Sequence, residues 1–503
     1  MEKISVIPKP VSINYKEGFF KSQGLPNVGG DKDFHKEIET VSEQLKGDFS
    51  GEQGTEKSTG TVFCRKSPDI QNDEAYRLVI SNDNIVIEAS SGAGMYHGLQ
   101  TFRQLALSEY KNGQLSLPCA EISDYPRFSW RGFMLDCSRY FYSVPFLKRQ
   151  IDILSLHHIN RFHWHLTDDQ GWRLPVNEYP LLAEIGSRRQ DRRFPWASFK
   201  SEFYTEDEIR EVVDFAAKRH IEIIPEVDLP GHASAILACY PGLGCTGGPY
   251  RVEDRFGIFE DVLCAGNDQI FDLADMVFDT LARLFPSKWV HIGGDEVLFN
   301  RWEECPKCQK RLKDLSLEKT PELQSWITQK LVQSLAQRGK TAIGWDEILD
   351  DSEKFALPKE AVVMSWRGCE GGKKASGLGH SVIMAPNTNG CYLDYRHTED
   401  AEEIGRTLGT STVFTGYSMN PAPPEMSDEQ AGKILGGQCN LWSEVIYAGK
   451  IAEYMIYPRL CAISEAVWTP HENKDFSDFS KRLKIHQKRL DTLKLLQYRG
   501  RLQ

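Results

Sequence analysis

Trp289-Val-His-Ile-Gly-Gly-Asp-Glu-Val297 reads as a short apolar strand that runs into two glycines and then sets down adjacent carboxylates, Asp295 and Glu296. Neighbouring residues on a regular strand point to opposite faces. Two carboxylates that serve one pocket therefore require the backbone to leave strand geometry, and Gly293-Gly294 permits close approach and unusual torsions. A solvated acidic turn has the same spelling, so the reading depends on what the rest of the chain places around it.

Working outward, strand-like runs recur at 132–139, 161–168, 221–228, 289–296, 341–347, 361–366, 381–387 and 435–442. Helical patterns fall between most of them, at 144–158, 206–219, 269–284 and 321–338, with another at 451–467. Eight strands alternating with helices predict a (β/α)₈ TIM barrel over residues 126–503, whose parallel strands deliver their C-terminal ends to one face. A charged amphipathic helix at 476–495 closes the chain as an outer-face or capping element.

Residues 1–125 read as a separate, smaller α/β domain. Two strand-like runs at 76–81 and 84–89 precede a helix at 91–107, so a small sheet with packed helices is expected. The polar stretch 57–72 reads as loop. Nothing catalytic stands out here, and the expected task of this domain is to support the barrel.

The composition bounds the function. The chain has 503 residues, 40% hydrophobic and 26% charged, with a formal charge of -11 and no dense basic tract. Nucleic acid and anionic membranes are thus poor partners. No apolar run reaches the ~18 residues that span a bilayer. There is no Walker loop or dinucleotide fingerprint, and no cofactor or metal is expected. Twelve cysteines are too few for a disulfide scaffold. Cys305-Pro-Lys-Cys308 has metal-like spacing, but neither a second CxxC nor a nearby His pair completes a tetrahedral set. Cys245 and Cys264 bracket a Gly-rich loop and could be joined in an oxidising compartment. Whether either pair is bonded stays open.

Polar and aromatic residues gather where a barrel places its chemistry, at the strand ends. Asp168, His232, Trp345, Trp366 and Trp442 all sit there, and Arg139, Tyr392, Asp394 and Glu444 sit in or near such ends. Three tryptophans at three strand ends suit the apolar faces of a sugar or a methyl group. Arg139, Asp394 and Glu444 could satisfy sugar hydroxyls by charge-assisted hydrogen bonds.

From Trp130 to about Thr469 the chain resembles the family-20 glycoside hydrolases, the β-N-acetylhexosaminidases. The matching runs, in family order, are WRGFMLDCSR, FHWHLTDDQGWR, IIPEVDLPGH, HIGGDE, GWDE, YLDY, GGQCNLWSE and YPRLCAISEAVW. The resemblance implies that Glu296 is the general acid/base, with a carboxyl pKa raised toward neutrality, and that His232 and Asp168 stand behind it. It implies that Asp295 polarises the substrate's acetamido nitrogen. The acetamido oxygen then attacks the anomeric carbon, giving an oxazolinium intermediate and net retention, a recognised exception to the two-carboxylate scheme. Tyr392 would hold that oxygen. Trp345, Trp366 and Trp442 would box the acetamido methyl and the ring, and Arg139, Asp394 and Glu444 would hold the outer hydroxyls at a chain end.

Two departures bear on specificity. Tyr140 follows Arg139 where many members carry His, and 240–264 forms a long loop expected to rim the pocket and shape the aglycone site. The expected substrate is a glycan ending in β-linked GlcNAc, with GalNAc as a further possibility. Release of a disaccharide or a sulfated sugar is an alternative, as is a protein nucleophile at Asp295 or Glu347, or a glycan-binding barrel without catalysis. The start of the chain lacks the apolar core of a signal peptide. Either it is cytoplasmic or a leader has been removed, and export to a periplasm or beyond is the expectation, since polymeric glycans lie outside cells. The oligomeric state stays open.

Overall fold

A computed structural model describes residues 4–50, 58–189 and 200–503. The N-terminal part is one mixed sheet built from β1 (Ser12–Gln23), β2 (Asn27–Gly30), β3 (Thr61–Lys66), β4 (Tyr76–Ile80), β5 (Ile85–Ala89), β6 (Tyr110–Lys111) and β7 (Gln114–Asp124). Its order is β1-β7-β4-β5-β3-β2, with β6 on β7. The helix Gly92–Glu109 packs on the sheet, and the Ser91 hydroxyl caps its first turn by accepting from Ala93 N and Gly94 N. The expectation of loop at 57–72 fails in its middle. Val62 and Cys64 are buried while Phe63 and Arg65 face out, the alternation of a half-buried strand, and β3 pairs parallel to β2 and β5. Lys57 itself lies outside the described residues.

The barrel closes in chain order: β8 (Trp130–Asp136), β9 (Arg161–His165), β10 (Glu222–Glu226), β11 (Trp289–His291), β12 (Thr341–Trp345), β13 (Val362–Ser365), β14 (Val382–Met384) and β15 (Ile434–Leu441), with β15 pairing back to β8. Every pairing is parallel, as in Gly132 opposite Arg161 and Gly436 opposite Trp130. Strand alternation sorts the side chains. Phe133 and Leu135 join the large core under the outer helices, whereas Trp130 and Met134 join Ile224, Ile343 and Met364 inside the barrel. The helix expected at 451–467 is two, Gly449–Ile456 and Arg459–Trp468, because Pro458 has no N–H to continue the first.

The sheet and the barrel are tied at residues from both. The Trp468 indole N–H donates to both carboxyl oxygens of Asp124 at 3.1 Å, and the Tyr76 hydroxyl donates to Asp124 at 2.9 Å. The terminal helix Phe476–Thr492 adds Arg482, which donates to Val6 O at 2.9 Å and pairs with Glu465 at 2.7 Å. Arg489 of the same helix donates to the backbone carbonyl of Ser5.

Candidate active site

The turn after β11 departs from strand geometry in the manner its letters predict. Regular pairing stops at His291, and Gly293, Gly294 and Glu296 have φ values of 67°, 93° and 52°. A side chain at Gly293 could not be housed, since a Cβ there would lie 1.7 Å from the Asp228 Oδ1. That same oxygen accepts the Gly294 N–H at 2.9 Å. The left-handed kink turns Asp295 and Glu296 into one cavity of about 500 Å³ at the C-terminal face of the barrel.

Trp345, Trp366, Tyr392 and Trp442 line that cavity with Arg139 and Glu444. Trp366 and Tyr392 stack at 6.3 Å and 11°, while Trp345 and Trp442 meet at 5.8 Å and 44°, so four aromatic rings face one space. Tyr392 is brought in by a parallel bridge to Asn440, just before Trp442. The Trp366 indole N–H donates to Glu347 at 2.9 Å. Glu347 thus stands behind the indole rather than on the cavity wall, and burial together with the Asp295 charge pushes its carboxyl up to about 9.

Beneath the cavity lies a buried polar network. His165 joins Glu226 at 2.5 Å and Asp168 at 2.9 Å. Glu226 also accepts the Trp345 indole N–H at 2.9 Å and lies 2.9 Å from His163 Nε2 and 3.0 Å from His291 Nδ1. Asp168 takes Arg139 at 2.7 Å and shares His232 Nδ1 with Asp169, at 3.1 and 2.9 Å. The other His232 nitrogen points at the acidic pair, 3.6 Å from Glu296 and 3.7 Å from Asp295.

These surroundings set the charges. Burial opposes a charged His232, yet Asp168, Asp169 and Glu296 hold its pKa well above the ordinary value. Burial also works to raise Glu296, but the hydrogen bond and charge of His232 outweigh it, so the carboxyl sits low. This corrects the expectation of a Glu296 pKa raised toward neutrality. Asp295 is the raised one, by burial and by Asp228, whose own carboxyl is pushed up to about 7, chiefly by burial. Asp228, Asp295 and His232 bring side-chain atoms within 4.8 Å of one another, so the Asp228 charge bears directly on Asp295.

The sequence profiles of two domains match this chain: glycosyl hydrolase family 20, catalytic domain, over residues 128–471, and glycosyl hydrolase family 20, domain 2, over residues 3–125. The chain belongs to glycosyl hydrolase family 20. It is 37% identical over 499 residues to a β-hexosaminidase of Porphyromonas gingivalis, which covers 97% of this chain and 63% of that protein. A β-hexosaminidase of Akkermansia muciniphila is 33% identical, covering 86% of this chain and 87% of its own. Among solved structures, the family-20 exo β-N-acetylglucosaminidase of Vibrio harveyi in complex with N-acetylglucosamine superposes with a TM-score of 0.89 at 31% identity, covering 99% of this chain and 80% of that one.

Ten of the eleven residues expected from the family-20 motifs lie in the cavity wall or in the network directly under it. Asp394 is one layer down: it is fully buried, 3.7 Å from Arg406, with burial pushing its carboxyl up to about 7. Arg406, absent from the sequence reading, reaches the cavity and pairs with Glu444 at 2.9 Å. It rides on the short strand Arg406–Thr410, inside an insertion between β14 and β15 in which only YLDY carried a signal. Asp169, which the family-20 motifs do not single out, serves His232 as closely as Asp168 does, since both carboxylates face Nδ1. The loop at 240–264 contributes Phe256, Gly257 and Ile258 to the cavity. Tyr140 faces Phe256 with ring centres 6.5 Å apart, so the Tyr-for-His departure touches the rim.

Proposed function

We propose that this family-20 chain is an exo-acting, retaining β-N-acetylhexosaminidase that removes terminal β-linked GlcNAc, and by the same pocket GalNAc, from glycans. The observation that carries the reading is the meeting of Asp295, Tyr392 and three tryptophans in one cavity, which suits an acetamido group. Asp295 accepts the acetamido N–H, Tyr392 donates to the acetamido oxygen, and that oxygen attacks the anomeric carbon. Holding the nucleophile in place makes attack intramolecular, an effect that can be worth ~7 kcal/mol or more. Glu347, hydrogen-bonded behind Trp366, is poorly placed to compete as a protein nucleophile.

Glu296 and His232 share the proton that the leaving group needs. In the free site it rests on His232, and a bound sugar excludes water from Glu296, which raises its pKa and moves the proton toward the glycosidic oxygen. Arg139, Glu444 and Arg406 hold the outer hydroxyls, with Asp394 supporting Arg406. Residues 1–125 act as the supporting domain and 126–503 as the catalytic one, and the work is done outside the cytoplasm, where polymeric glycans lie. Among the described residues no helix is long and apolar enough to cross a membrane.

Hydrolysis of two aryl β-glycosides with one leaving group tests the mechanism. Cleavage of the N-acetylglucosaminide and not of the glucoside is the expected result, and comparable cleavage of both would exclude attack by the acetamido group.

A further inference from the structure

The sequence offered one CxxC and no partners for it; folding supplies them. Cys245 and Cys264, from the two ends of the rim loop, meet Cys305 and Cys308, which open the helix Pro306–Asp314. All four Sγ atoms lie within 4.8 Å of one another, with Cys264 to Cys308 at 3.5 Å, Cys245 to Cys308 at 3.7 Å and Cys264 to Cys305 at 3.8 Å. A tetrahedron of thiolates around zinc, with Zn–S bonds of about 2.3 Å, has S–S edges of about 3.8 Å. Three of the four residues are buried, which suits a closed, structural site.

The backbone nearby is shaped for this arrangement. Gly266 is pressed onto the CxxC turn, since a Cβ on it would lie 2.3 Å from the Lys307 carbonyl carbon. Four thiols from three segments, three of them buried, could pack as small apolar groups, but apolar packing does not call for sulfurs at tetrahedral edge lengths.

We propose that Cys245, Cys264, Cys305 and Cys308 bind one zinc ion as a tetrathiolate. The ion clamps the loop that carries Phe256 and Ile258 to the segment following Glu296. Binding replaces four S–H bonds with four Zn–S bonds and releases four protons to solvent, with no change of oxidation state. The site stands apart from the hydrolytic cavity and does not depend on the reading of it.

The test is elemental analysis of the full chain purified without chelator, paired with cobalt exchange. About one zinc per chain is expected, and the cobalt form should show the thiolate-to-metal charge-transfer bands of a tetrahedral S₄ site. Cys308→Ser and, separately, Cys245→Ser should lose the metal, speed proteolysis within 240–264, and lower the unfolding midpoint by on the order of 5 °C. Hydrolysis of a small aryl N-acetylglucosaminide should survive. Chelation of the unmutated chain gives the same readouts without a substitution, which covers a variant that does not fold. Peptide mapping that finds disulfides among these cysteines, four freely alkylated thiols with no zinc uptake, or iron as the bound metal would overturn the proposal.

Discussion

Asp168, His165, Glu226 and His232 under the cavity and Phe256, Ile258, Arg406 and Leu408 around its mouth are held by different means. The first group sits on barrel strands and their immediate ends, fully or nearly buried, each locked by two or more polar partners. The second rides on the 240–264 loop and on the insertion between β14 and β15, with Ile258 and Leu408 among the most exposed large apolar side chains of the described residues. A buried charge without its partner is costly, so floor residues stand or fall together. Rim residues can change one at a time, and a pocket built this way can keep one reaction while varying what it accepts.

The sharpest way to break this contrast is at Asp295. Asp295→Ala should lower kcat roughly 10³-fold with a much smaller change in KM, because a group that acts on the attacking atom is needed more in the transition state than in the ground state. Steady-state kinetics on an aryl N-acetylglucosaminide would show it, and an unchanged kcat would remove Asp295 from the mechanism. Glu296→Gln should cost roughly 10²-fold or more on a disaccharide and far less on a nitrophenyl glycoside, whose leaving group needs no proton. Equal losses on both would deny Glu296 the acid role.

His232 gives a pH test of the floor. With His232 held high and Glu296 held low, the pair keeps one proton over a broad range, and kcat/KM should be flat across neutral pH. In His232→Asn, Glu296 loses its cation and burial lifts its pKa. The protonated form is then lost as pH rises through that raised value, so the alkaline limb should move to lower pH. A profile that keeps its shape would separate His232 from the proton. At the rim, Arg406→Ala should raise KM roughly 10-fold with little change in kcat, the mark of a contact to hydroxyls remote from the reacting carbon.

The test that leaves the hydrolytic rate untouched lies far from the cavity. Asp124, buried between the two domains, has its carboxyl pushed up to about 7 by burial, which its hydrogen bonds to Trp468 and Tyr76 oppose. The folded chain therefore holds a proton that the unfolded chain releases near the ordinary Asp value. Stability should fall with rising pH between those two points, by about 1.4 kcal/mol per pH unit from this group, and level off above the upper one. Asp124→Asn should flatten that slope in a denaturant titration at several pH values.

The barrel was legible because its eight strands are parallel and largely buried on both faces, so most read as short runs rich in apolar residues, while His163 and His165 or Gln438 and Asn440 interrupt others. The strand ends were legible because Gly-Gly-Asp-Glu and the tryptophans have few structural reasons to stand there. What was not legible required knowing which distant segments meet. Asp228, a strand-end carboxylate, becomes the partner of Asp295 only once β10 and β11 lie side by side. Arg406 is an ordinary arginine until its insertion folds back over Glu444. The β3 strand was hidden in a largely polar stretch, where Phe63 on its outer face blurs the alternation, and Cys305-Pro-Lys-Cys308 looked incomplete because its companions lie 41 and 60 positions upstream, counting Cys264 to Cys305 and Cys245 to Cys305.

The attachment of the terminal helix has a bearing on how the polypeptide matures. Arg482 and Arg489, near the end of the chain, grip carbonyls of Val6 and Ser5, near its start. During vectorial synthesis those early residues leave the ribosome long before their partners exist. The seam at Ser5 and Val6 then stays open until Arg482 and Arg489 have been made, so these contacts between the N-terminal part and the terminal helix form late in folding.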